Sequence, residues 1–111
     1  MMRKGTMLAA AALTLALAAP AHAGSMVSSY YWQGNKTANG ERYHSEGLTA
    51  AHKTLPFGTR LRVTYRGKSV TVRVNDRGPF VKGRQLDLSR GAARQLGMLN
   101  AGVAAVQVDA I

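Results

Sequence analysis

Beyond the first two dozen residues, apolar side chains recur mostly at every second position, in short runs separated by Gly, Asn and Pro. This pattern predicts short, half-buried strands rather than long helices. Met26 to Trp32 is predicted as a first strand, closed by Gln33-Gly34-Asn35, and Leu48 to Ala51 as a short second one. Arg60 to Tyr65 and Lys68 to Asn75 are predicted to pair as a hairpin around Arg66-Gly67. In the second arm Val70, Val72 and Val74 share one face while Thr71 and Arg73 take the other, because successive side chains alternate across a strand. A last strand is expected from about Val103 to Ala110. One helix interrupts the series: Ser89 is a good N-cap, Ala92, Ala93, Gln95 and Leu96 favour helix, and Gly97 suits the left-handed residue that ends one. The pattern therefore points to an all-β fold with one short helix near the C-terminus, and to a small closed barrel, since closure removes exposed sheet edges.

The N-terminus has a different pattern. Arg3 and Lys4 precede an apolar run from Met7 to Ala19, followed by Pro20 and the small-x-small triplet Ala21-His22-Ala23. That is the three-part layout of a signal peptide. The run falls short of the roughly 20 residues that a spanning helix needs, so cleavage after Ala23 is expected, dividing the chain into a signal peptide (1–23) and one domain (24–111). The 111-residue chain has no cysteine, so neither a disulfide nor a thiolate metal site is available, and Gly24 offers no thiol for a lipid anchor. A periplasmic or secreted monomer without a stable membrane anchor is expected.

The formal net charge is +10 for the whole chain. Without Arg3 and Lys4 it is +8, from 13 basic and 5 acidic residues. Such a field gathers anionic partners. Nucleic acid is not expected, because the protein is read as exported and no basic helix interleaved with aromatics or RNA-binding motif is present. An anionic wall polymer or membrane surface remains, beside the plainer reading of a solvated basic face that aids solubility.

Four segments, in order, carry a resemblance to a known family. They are Thr37-Ala38-Asn39-Gly40-Glu41; Leu48-Thr49-Ala50-Ala51-His52 with Thr54-Leu55-Pro56-Phe57-Gly58-Thr59; Val74-Asn75-Asp76-Arg77-Gly78-Pro79-Phe80; and Leu86-Asp87-Leu88-Ser89. Together they resemble the RlpA (rare lipoprotein A) type of domain over nearly all of residues 28–111. The resemblance implies a six-stranded double-psi β-barrel related to expansins, peptidoglycan glycan strands as partner, and endolytic lytic transglycosylase activity that leaves 1,6-anhydromuramic ends. A non-catalytic, expansin-like wall-binding module is the alternative. It further implies that Glu41, His52 and Asp76 line the groove, with Asp76 as the catalytic acid. Family members often carry a lipidation cysteine and a C-terminal wall-binding domain; this chain has no such cysteine and stops at Ile111.

The chemistry suits few carboxylates. A lytic transglycosylase adds no water: the muramic acid C6 hydroxyl attacks the anomeric carbon, so one carboxyl can protonate the leaving oxygen and then take the C6 proton. Asp76 is expected at a strand end, with an Asx-turn to the amides of Gly78 or Phe80 as its plain structural role. Glu41 is either a second carboxylate acting on Asp76 or a solvated loop residue, and His52 a hydrogen-bonding partner or a structural histidine. Asp87 is read as serving loop amides at the helix start. Arg77 and Arg84 are candidates for binding the lactyl carboxylate of muramic acid. Tyr30 and Trp32 should share a face, available to sugar rings or to the core. No metal motif such as His-Glu-x-x-His is present, and no metal or cofactor is expected.

Overall fold

The computed structural model describes residues 24–111; the signal peptide expected over 1–23 lies outside them. Six strands and one helix follow in order: β1 Gly24–Tyr31, β2 Thr49–His52, β3 Arg60–Tyr65, β4 Lys68–Asp76, β5 Leu86–Ser89, α1 Arg90–Leu96 and β6 Ala104–Ala110. They close into a barrel in the order β1-β5-β2-β4-β3-β6. Two of the pairings, β1 with β5 and β2 with β4, are parallel, and the other four are antiparallel. This is the expected all-β double-psi barrel.

The interior follows from the alternation. Val70, Val72 and Val74 of β4 point inward with Leu61 and Val63 of β3, Leu86 and Leu88 of β5, and Val106 and Val108 of β6. Each of these buried side chains stabilises the fold by about 1.5–3 kcal/mol relative to exposure. The β3–β4 hairpin turns at Arg66 and Gly67, both with positive φ (49° and 82°), the combination that matches strand twist in a two-residue hairpin. Ser89 caps α1 by accepting from the Ala92 amide, and Gly97 ends it at φ 74°. The same Ser89 hydroxyl donates to Gly47 O at 2.6 Å, which ties the loop before β2 to the helix start. α1 buries Ala92, Ala93 and Leu96 against the barrel.

The boundaries differ from expectation in informative ways. β1 begins at Gly24 because its first five residues pair with β6, and it ends at Tyr31, leaving Trp32 outside. β2 runs from Thr49 to His52, one residue later than predicted. β5 was not expected as a strand. Its four residues sit beside the non-local strands β1 and β2, whose pairing leaves no turn signal in the local sequence. Among the described residues no helix is long and apolar enough to cross a membrane.

Candidate active site

The non-local strand pairings bring distant residues to one end of the barrel. Ala51 on β2 is the register partner of Asp76 on β4 and of Asp87 on β5, so the two aspartates flank the same central residue. On β1, Ser29 and Tyr31 are two residues apart and share a face. Ser29 Oγ donates to Asp87 Oδ1 at 3.1 Å and Tyr31 Oη donates to Asp76 Oδ2 at 2.8 Å.

Asp76 is held from three directions. Besides Tyr31, the Ala38 and Arg77 amides each donate to its Oδ1 at 2.9 Å. The expected bonds from Gly78 or Phe80 are replaced by these, because residues 35–43 fold back and present Ala38 to the end of β4. Asp87 differs in kind. Burial pushes its carboxyl up from 3.8 to about 6, aided by the nearby Asp76 and opposed by the Ser29 hydrogen bond and by Arg84. Its expected place on the loop amides at the helix start is corrected: the side chain sits among Ser29, Arg84 and Asp76. A carboxyl raised toward neutral pH beside an aspartate fixed by three donors is a pairing suited to acid/base chemistry.

Glu41 faces elsewhere. Arg73 binds it through two guanidinium nitrogens at 2.8 and 3.0 Å, and Asn75 Nδ2 donates to it at 3.0 Å. The Arg73 hydrogen bond is the main cause that holds it down at about 2. The carboxyl electrostatically coupled to Asp76 is therefore Asp87, while Glu41 clamps the 35–43 hairpin to β4. His52 accepts the Thr54 and Leu55 amides on Nδ1, at 3.2 and 3.1 Å. Burial, with Arg77 and Lys53 nearby, lowers its pKa, so the ring is neutral with its proton on Nε2, the free donor.

Arg77 is less available than expected. Its Nη1 donates to the carbonyls of His52 and Leu55 at 3.2 and 2.8 Å, and its guanidinium lies 4.0 Å over the Phe57 ring. These contacts bind the 52–57 loop to the end of β4. Arg84 stays half-exposed beside Asp87.

The aromatic residues form the wall of a groove. Tyr30 and Trp32 lie on one side as expected, with ring centroids 5.9 Å apart. Tyr30 donates to Leu99 O at 3.0 Å and packs on the core, whereas Trp32 is 57% exposed. They line a cleft of about 360 Å³ with Arg90, and a neighbouring one of about 210 Å³ with Tyr31 and Gln33. Tyr31 joins this groove to the aspartates. Its ring stacks on Tyr43 at 4.5 Å, and the Tyr43 hydroxyl donates to Tyr31 O at 2.6 Å. Burial raises both phenols, Tyr43 to about 12, so both remain proton donors. Among the described residues no group of three His, Asp or Glu side chains is arranged to hold a metal ion.

Sequence reasoning missed Ser29, Tyr31, Tyr43 and Asp87 as parts of this site. The available signal was Asp87 between Leu86 and Leu88: a charged residue alternating with core residues on a strand faces outward beside its neighbours.

Known proteins are similar to this chain in sequence and in fold. The lytic transglycolase family profile matches residues 23–108. A Nostoc sp. protein named "Probable endolytic peptidoglycan transglycosylase RlpA" is 53% identical over 92 residues, covering 77% of this chain and 25% of that protein. A Campylobacter jejuni protein named "Endolytic peptidoglycan transglycosylase RlpA" is 52% identical over 90 residues, covering 77% and 33%. The chain thus spans a quarter to a third of the length of these curated relatives. Among solved structures, Streptomyces papain inhibitor has the same fold, with a TM-score of 0.70 at 22% identity, covering 82% of this chain and 96% of that one.

Proposed function

The chain belongs to the lytic transglycolase family, and we propose that it is an endolytic enzyme that cleaves peptidoglycan glycan strands without water. The observation that carries this reading is the Asp76–Asp87 pair, joined through Ala51 and tied by the Tyr31 hydroxyl to an aromatic groove. Asp87, raised to about 6, carries the proton to the glycosidic oxygen as the bond to the muramic acid anomeric carbon breaks. Asp76, the acid that the family resemblance implies, is fixed by Tyr31 and two amides and takes the supporting place beside that carbon, so the proton is assigned to Asp87 instead. The C6 hydroxyl then attacks the carbon and returns its proton to Asp87, giving a 1,6-anhydro ring and regenerating the acid. The His52 Nε2 proton orients a sugar oxygen, Trp32 and Tyr30 supply the platform on which sugar rings stack, and Glu41 holds the hairpin that positions Ala38. Arg84 meets the strand's negative charge next to Asp87, and Arg77 keeps the neighbouring loop in place.

The same reading takes residues 1–23 as a signal peptide and 24–111 as a monomeric domain acting in the periplasm or outside the cell. The substrate is glycan lacking stem peptides, because peptide removal frees a carboxylate on every muramic acid and the domain carries +8. That preference weakens as salt rises.

The test is incubation of the purified domain with amidase-treated and intact sacculi, with products identified by mass spectrometry. Anhydro-ended fragments are expected, with yields reduced roughly 100-fold or more in Asp87→Asn and Asp76→Asn. Near-native yields in both variants would remove the assigned chemistry. Binding to sacculi without anhydro products would make the domain a wall-binding module.

A further inference from the structure

Residues 35–43 form a small hairpin outside the barrel. The Tyr43 amide donates to Asn35 O at 2.7 Å and the Thr37 amide to Glu41 O at 2.8 Å, on either side of a bridge between Lys36 and Arg42. With bonds flanking rather than joining them, Lys36 and Arg42 are a non-hydrogen-bonded pair, the arrangement that brings opposed side chains closest, at about 4.5–5.5 Å between Cβ atoms. Like charges directly opposed destabilise a hairpin.

Nothing in the domain offsets them. All five acidic residues of the chain lie among the described residues, and none is bonded to Lys36 or Arg42. Glu41 is taken by Arg73, and Glu46 by Arg90 and Arg94. Asp76 and Asp87 are in the site, and Asp109 lies opposite Arg62 in the β3–β6 register. The two cations share an open cleft of about 340 Å³ with Gly34, Asn35 and Tyr43. Tyr43 is also the floor on which Tyr31 stacks, and the tip of the same hairpin gives Ala38 to Asp76. The cleft and the aspartates are therefore linked through one hairpin.

We infer that the Lys36–Arg42 cleft is an anion-binding subsite that takes a carboxylate borne by the polymer held at Asp76 and Asp87. Resting on the function proposed above, that group is the lactyl carboxylate of a muramic acid beyond the scissile bond. An anion between the two side chains converts an unfavourable pair into a chelating one, and a neutral sugar gains nothing there.

Two measurements test it. In the first, amidase-treated glycan and chitin oligosaccharides, which have the same linkage and no lactyl group, are bound to the native domain and to Lys36→Gln/Arg42→Gln. The double variant should weaken binding of the carboxylated strand roughly 10-fold, as two exposed charge contacts allow, and leave chitin binding unchanged. A variant with equal charge loss elsewhere, Arg62→Gln/Arg66→Gln, should have a smaller effect. Equal losses on both ligands, no loss, or an equal effect of the control would overturn the subsite. The second measurement does not depend on glycan cleavage: amide shifts are followed as N-acetylmuramic acid, N-acetylglucosamine or inorganic phosphate is added. Shifts at Asn35, Lys36, Arg42 and Tyr43 with the muramic acid alone support the assignment, and they would do so even if the domain released no anhydro products. Response to phosphate without response to the muramic acid would make the ligand a phosphate polymer and overturn the carboxylate assignment, as would no response to any.

Discussion

Replacing Asp87 by Asn should separate stability from activity. The folded carboxyl holds its proton up to about pH 6, whereas the unfolded chain releases it near 3.8. The folded state therefore binds more protons between these values, and stability falls as pH rises through that window. At about 1.4 kcal/mol per pH unit, the charged residue costs the fold up to about 3 kcal/mol above pH 6; partial exposure of the side chain reduces this to about 1–2 kcal/mol. Asn keeps the Oδ1 acceptor for Ser29 and carries no charge to desolvate. At pH 7.5 Asp87→Asn should thus melt higher by about 5–15 °C for a domain of this size, and at pH 3.5 the two proteins should melt together. Release of anhydro products should fall roughly 100-fold in the variant, while activity of the native domain should decline as pH rises through about 6. Paired calorimetric melts at the two pH values and a product assay check this. A variant no more stable than the native protein at pH 7.5, or one that retains activity, would refute the view that Asp87 is a proton carrier held at a cost to the fold.

Three other substitutions read different parts of the argument. Tyr31→Phe keeps the ring stack on Tyr43 and removes the hydroxyl donor to Asp76; turnover should fall roughly 10-fold with little change in KM, measured by product release across substrate concentration. Trp32→Ala should leave the melting temperature within a few degrees, because the ring is 57% exposed, yet weaken glycan binding roughly 10-fold in a co-sedimentation assay. In Gly91→Ala the new Cβ would lie 2.5 Å from the Glu46 carbonyl oxygen and 2.8 Å from its Cα, backbone that the Gly91 amide's bond to Ser45 O holds in place. It should cost about 3 kcal/mol, seen as a large drop in melting temperature.

The features legible in the sequence are those with a local cause. The β3–β4 hairpin announces itself through Arg66-Gly67 and the Val70, Val72, Val74 alternation, and α1 through Ser89 and Gly97, because turn and cap chemistry is written within a few residues. β5 has no such signature: it is specified by one parallel and one antiparallel neighbour, each more than 30 residues away, and Leu-Asp-Leu-Ser on its own is a fragment that many contexts accept. The site inherits the same division. Motif resemblance singles out Asp76, Glu41 and His52 but is silent on which carboxyl faces which, and the register decides that. Ala51 sets Asp76 and Asp87 on either side of β2, whereas Arg73, an outward-facing residue of β4, removes Glu41 from the pair. A carboxyl at position 87 costs the barrel a desolvation that a neutral hydrogen-bonding residue would avoid, which is the cost expected of the proton carrier proposed above.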